Sequence, residues 1–280
     1  MCSIAKRHRL AVSPIHRLRR LVLRLARQRG VTPPSVVVHL EEECDHGCDP
    51  QVIVIDNSVS MRTRRAQVET AALVFARASN PLDELFVVNF ADTPHLDVPF
   101  TTDVGAVAAG IAKADAVGGT ALRDCVDLGE RYLRDHAKRD RKALLVITDG
   151  NDNASAVPTA QIRQQAEQGN VAIYVIALPH DDVSKAARAR RELDDLTERT
   201  GGVAVHVAQM NDVEATALVL AHQIRQQYTL AYAPLNQVLD GLYRKIHVAV
   251  HSRERRVSVR TQAGYLATAG PGAAELKEKQ

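Results

Sequence analysis

Tryptophan is absent from the 280-residue chain, and the aromatic residues together make up only 4% of it. A core must therefore be built from Val, Leu, Ile and Ala, which the 45% hydrophobic content supplies amply. No stretch approaches the roughly 18 apolar residues of a transmembrane helix. No uninterrupted apolar segment follows the basic N-terminal residues, which argues against a secretory signal peptide. The four cysteines, Cys2, Cys44, Cys48 and Cys125, do not make a disulfide framework. Cys44 and Cys48 flank His46, but no second Cys/His pair completes a zinc site. A local disulfide or two free thiols is the simpler reading. Cys125 lies in a helical pattern and is expected to be a small buried residue.

Signatures of several enzyme classes are also missing. No Gly-x-Gly-x-x-Gly or Gly-x-x-x-x-Gly-Lys-Ser/Thr run follows the first strong strand, so a nucleotide lacks its usual loop. No Gly-x-Ser-x-Gly elbow is present. His95, His136, His180 and His206 are scattered, with no partner indicated by spacing.

Charge is unevenly spread. Residues 1–40 hold nine Lys and Arg and no Asp or Glu, which turns a mildly acidic body into a chain of net charge +3. The body therefore gives no sign of nucleic-acid binding. Residues 1–34 read as a basic leader ending in Thr32-Pro33-Pro34. Ile15, Leu18, Leu21, Val22 and Leu25 recur at helical spacing among arginines. This predicts either an amphipathic helix able to touch an anionic membrane surface, or a solvated, disordered extension, the latter preferred. Residues 35–50 are a linker with one strand-like stretch.

The body opens on Val52-Ile53-Val54-Ile55-Asp56-Asn57-Ser58-Val59-Ser60. A short β-branched run of this kind fits a strand buried on both faces. The spacing predicts helices over 64–79, 104–114, 121–136, 158–168, 184–200 and 212–227. Strands are predicted over 84–90, 142–148, 171–178 and 203–207, and 95–99 reads as an antiparallel edge strand. Strands alternating with helices predict an α/β fold, a doubly wound, mostly parallel sheet flanked by helices, over residues 51–227. Residues 228–268 change character. Three strands without helices, at 228–233, 243–250 and 256–261, predict a small C-terminal antiparallel β appendage. Residues 269–280 form a polar tail.

Ligands of such a sheet bind at the carboxyl ends of the strands. Asp56, Ser58 and Ser60 fall at one such end, and Asp149 at another. Thr120 follows the paired glycines Gly118-Gly119 between them. Each residue alone can be read as a helix cap or a turn. Taken together they are five hard oxygen donors at one sheet edge, suited to Mg²⁺, with Mn²⁺ or Ca²⁺ as alternatives. Two carboxylates share a site cheaply only when a cation neutralises them.

This set, Asp56-x-Ser58-x-Ser60, Thr120 and Thr148-Asp149-Gly150, resembles the metal-ion-dependent adhesion site (MIDAS) of von Willebrand factor type A (VWA) domains. Val59 stands where that pattern commonly has glycine. Residues 224–234, 243–248 and 260–265 resemble the C-terminal signature of a bacterial family of VWA-related proteins. Such proteins carry a β appendage after the A domain and a β-rich segment before it, which residues 1–50 barely supply. The resemblance implies a Rossmann-like VWA fold. It also implies a MIDAS formed by Asp56, Ser58, Ser60, Thr120 and Asp149, and a protein partner that offers an Asp or Glu carboxylate. Members are usually exported, which conflicts with the missing signal peptide, so the compartment is unknown. Two other readings are a structural module that the metal merely stabilises and a metal-dependent hydrolase. A phosphatase of the HAD type would need a second aspartate two residues after Asp56, where this chain has Ser58. The expected protein is not an enzyme.

Overall fold

The computed structural model describes residues 6–13, 23–25, 39–42, 50–113, 117–139, 141–180, 182–232, 236, 238–250 and 258–267. Three strands come first: β1 (Lys6–Ser13), β2 (Leu23–Leu25) and β3 (His39–Glu42). The body begins with β4 (Pro50–Asp56), α1 (Arg65–Ala78), β5 (Glu84–Phe90), β6 (Pro94–Thr101), α2 (Val104–Ile111) and α3 (Leu122–His136). It continues through β7 (Lys142–Thr148), α4 (Thr159–Gln168), β8 (Val171–Ala177), α5 (Val183–Thr200), β9 (Val203–His206) and α6 (Val213–Arg225). The last strands are β10 (Gln227–Tyr232), β11 (Tyr243–Lys245), β12 (Val248–Val250), β13 (Ser258–Thr261) and β14 (Gly264–Leu266).

Six strands form the central sheet in the order β6-β5-β4-β7-β8-β9. All pairings are parallel except β5 with the edge strand β6. This is the doubly wound α/β sheet expected from the alternation of strands and helices. Every residue of β4, β7 and β8 is buried, because successive side chains point to opposite faces and both faces are covered. Ile53, Ile55, Leu145 and Ile147 pack with Val68 and Phe75 of α1 and Leu220 of α6. Val52, Val54, Leu144 and Val146 pack with Val126 and Leu133 of α3 and Leu193 of α5. Cys125 is buried in this second cluster as a free thiol. Cys2, Cys44 and Cys48 lie outside the described residues.

The small antiparallel β structure expected after the body is present, and strands from the N-terminal segment join it. The β appendage was expected from the C-terminal segment alone. Instead β1 pairs with both β10 and β13, and β3 pairs with β10, in a four-stranded antiparallel sheet ordered β13-β1-β10-β3. The segment before the body therefore does supply β structure. Two further pairs, β11 with β14 and β12 with β2, form separate two-stranded antiparallel sheets. Lys6–Ser13 is thus a strand, neither helix nor irregular leader. Leu23–Leu25, expected at the end of an amphipathic helix, is also a strand. Their partners lie more than 200 residues away in sequence, so no local pattern announces them. The remainder of the proposed helix, residues 15–22, lies outside the described residues, as do 35–38. The single strand expected over 243–250 breaks at Ile246-His247, because β11 and β12 pair with different partners.

Contacts between the smaller sheets and the body fall at the amino-terminal edge of the parallel strands. Gln262 Nε2 donates to the Gly169 carbonyl at 3.1 Å, just before β8. Gly201, with φ +78°, ends α5, and a Cβ there would meet Gln262 N at 2.5 Å. Arg260 donates to Gln223 Oε1 at 2.7 Å. None of these contacts involves the carboxyl edge of the sheet.

Candidate metal centre

Asp56 ends β4, and its side chain is almost wholly buried. Its Oδ1 accepts the Ser58 N–H at 2.9 Å, and its Oδ2 accepts the Thr148 hydroxyl at 2.5 Å. Ser58 is buried, Ser60 is exposed, and their Oγ atoms are 3.1 Å apart. Asp149 follows β7 and is also buried. Its Oδ1 accepts the Asn151 N–H at 3.4 Å, while its buried Oδ2 has no hydrogen-bond partner among the described residues.

Burial raises the Asp56 carboxyl from 3.8 to about 6, against the hydrogen bonds from Ser58 and Thr148. The charge of nearby Asp149 pushes it the same way. Two buried carboxylates are therefore close enough to repel each other, one with an oxygen left unsatisfied.

Thr120 is buried on the loop between α2 and α3. That loop is tied to its neighbours through the backbone. Val117 N–H donates to the Asn57 carbonyl at 3.0 Å, and Val59 N–H to the Gly118 carbonyl at 3.2 Å. On the other side, Thr120 N–H donates to Asn153 Oδ1 at 2.9 Å, and the Thr120 carbonyl accepts the Asn153 N–H at 3.0 Å. Three loops thus close on one another at the carboxyl edge of the sheet, bringing together the segments that carry all five expected donors.

A buried carboxylate pair, one carboxylate oxygen unpartnered, and three hydroxyls within this loop cluster fit a hard divalent cation. Among the described residues no group of three or more His, Cys, Asp or Glu could hold a metal ion.

Comparison with known proteins bears on the fold that carries these loops. Residues 51–151 match the family model of the von Willebrand factor type A domain. A von Willebrand factor type A structure from Catenulispora acidiphila is similar over 78% of this chain, with TM-score 0.57 and 16% identity. The sheet domain has the VWA fold. The chain spans 55% of the length of that structure. The PilB minor pilin from Streptococcus sanguinis is similar over 64% of this chain and 61% of its own, with TM-score 0.52 and 14% identity. The vWF domain of the type V pili tip protein Mfa5 from Porphyromonas gingivalis is similar over 63% of this chain and 94% of its own. Its TM-score is 0.50 and its identity 12%. No protein of curated function matches the sequence. Among the described residues, no helix is long and apolar enough to cross a membrane.

Several residues that shape this loop cluster escaped the sequence reading. Asp92 Oδ1, from the β5–β6 turn, accepts the Gly119 N–H at 2.6 Å. Gly118 has φ +79°, and a Cβ there would lie 2.3 Å from Asp92 Oδ2, so glycine is required. Asp124 accepts the N–H groups of Ala156 and Val157 at 3.0 and 2.8 Å, latching the loop after β7 to the start of α3. Beneath the first loop, Asn57 Nδ2 donates to Asn89 Oδ1 at 2.7 Å, and Asn89 Nδ2 donates to Asp97 Oδ2 at 2.8 Å. Arg65 donates to Asn57 Oδ1 from the other side. A polar Asn89 inside the apolar run Leu-Phe-Val-Val-Asn-Phe was the one available signal of this network.

Proposed function

We propose that this chain is a divalent-metal-dependent protein-interaction module that captures a partner's carboxylate, with no catalytic role. The observation that carries the reading is the buried Asp56–Asp149 pair with Asp149 Oδ2 unpartnered, beside the hydroxyls of Ser58 and Ser60. Leaving such a pair uncompensated is costly, and a cation removes the cost. Asp56, Ser58, Ser60 and Thr120 would hold Mg²⁺ directly or through water, as a MIDAS. Mn²⁺ and Ca²⁺ are the alternatives. Asp149 would act through water and hydrogen bonds to those donors. With few anionic ligands, the bound cation would supply an electrophilic position for a partner's Asp or Glu. The attachments of the smaller sheets at the opposite edge, and the exposure of Ser60, favour access by a macromolecule. The likeness to a minor pilin and a pilus tip domain supports an interaction role.

The test is isothermal titration of Mg²⁺ and Mn²⁺ into chelator-stripped protein, with Asp56→Ala alongside. One saturable site, lost in the variant, is expected. A folded wild type that binds neither ion refutes the metal centre. Capture of a partner with and without EDTA then separates binding from a purely structural metal. In the binding reading Thr120→Ala weakens capture while the fold survives.

A further inference from the structure

Two exposed valines stand beside the loops that carry the expected donors. Val59, between Ser58 and Ser60, is 51% exposed, and Val117, just before Gly118-Gly119, is 55% exposed. The two backbone hydrogen bonds between their loops, Val117 N–H to Asn57 and Val59 N–H to Gly118, hold them across one seam. Isolated exposed apolar side chains are common and carry no message. A pair fixed across the seam between the Ser58/Ser60 loop and the Thr120 loop is a different case. Neither valine contributes a full burial to folding, and both are stiff at χ1, so covering them costs little side-chain entropy. Covering them also removes water from beside the donors, which strengthens any charge interaction there.

We infer that Val59 and Val117 are specificity residues that select carboxylates flanked by a bulky apolar side chain. The partner would be a segment in which Asp or Glu stands within two residues of Leu, Val or Phe. This rests on the metal-dependent capture proposed above and adds which carboxylates are taken. A carboxylate alone is chemically the same on every acidic protein. The apolar contact supplies the discrimination that the charge contact lacks.

The experiment uses the full chain and bead-displayed heptapeptides with one central Asp or Glu, flanked by Leu, Val and Phe or by Ser, Gly and Gln. Binding is read in Mg²⁺ and in EDTA, for the wild type and for Val59→Ala/Val117→Ala. Covering each half-exposed valine is worth about fivefold in affinity. The expected result is Mg²⁺-dependent binding that favours apolar flanks by at least about tenfold, with the preference lost in the double variant. Mg²⁺-dependent binding without flank preference, or a preference that survives in the variant, overturns this inference and leaves carboxylate capture standing. Absence of Mg²⁺-dependent binding to every peptide overturns both. Mg²⁺ titration of the double variant, expected to match wild type, shows that the metal centre is intact when the preference is read.

Discussion

Replacing Asp149 by asparagine should invert the order of stability between chelated and metal-bound conditions. Asp149 Oδ2 is buried with no hydrogen-bond partner among the described residues, and the Asp149 charge raises the pKa of Asp56. An unsatisfied buried acceptor costs about 1–3 kcal/mol, more when charged. Asparagine removes the charge, and its Oδ1 can keep the hydrogen bond from Asn151. Its Nδ2 takes the place of the unpartnered oxygen, so the gain comes from removing the charge alone, and in EDTA Asp149→Asn should be more stable than wild type by about 1 kcal/mol. Metal acts in the other direction. At Mg²⁺ about a hundredfold above its Kd, linkage stabilises the wild type by about 2.7 kcal/mol. The variant, with a weakened centre, should gain under ~1 kcal/mol and fall behind. Urea unfolding of both proteins in EDTA and in Mg²⁺ measures all four numbers. A variant less stable than wild type in EDTA, or one gaining as much from Mg²⁺, refutes the argument that this pair awaits a cation.

Two further outcomes follow from the geometry. Glu130 on α3 is buried, and burial, aided by Asp127, raises its carboxyl from 4.5 to about 7. The folded state therefore holds this proton more tightly than the unfolded chain. Its contribution to stability is full below pH 4.5 and falls as pH rises toward 7, by up to about 3 kcal/mol. Glu130→Gln should flatten that slope and be the more stable protein at pH 8, and an unchanged slope in urea titrations would count against it. Gly118→Ala places a Cβ against Asp92 at a positive φ, so it should displace the Thr120 loop and weaken Mg²⁺ binding by about tenfold. Circular dichroism should stay native, and unchanged affinity would show that Asp92 does not position this loop.

The central sheet was legible because its signal is local. Val52–Ile55 and Ala143–Ile147 are apolar without interruption, which happens when both faces of a strand are covered. Helix limits were legible to within a few residues from punctuation such as Asn80-Pro81, Gly169 and Gly201-Gly202. Asp56, Ser58, Ser60 and Asp149 could be placed at one edge for a related reason. The carboxyl end of a parallel strand is a fixed place in the fold, so polar residues there are brought to one edge whatever the loops do.

Contacts between distant segments were left to the tertiary structure. Lys6–Ser13 looked like part of a basic leader because its pairing groups are backbone atoms, which no side-chain pattern records, and its partners Gln227–Tyr232 and Ser258–Thr261 lie at the other end of the chain. Asp92, Asn153 and Asn89 read as ordinary loop or strand polars. Only the folded chain sets Asp92 against Gly119, Asn153 against Thr120, and Asn89 beneath Asn57. The sequence by itself determined the sheet, its covering helices and the edge where oxygen donors collect, because these depend on periodicity within one segment. The composite second sheet, the closure of three loops, and the backbone seam that joins the Val59 and Val117 loops depend on which segments touch, and that was decided in three dimensions.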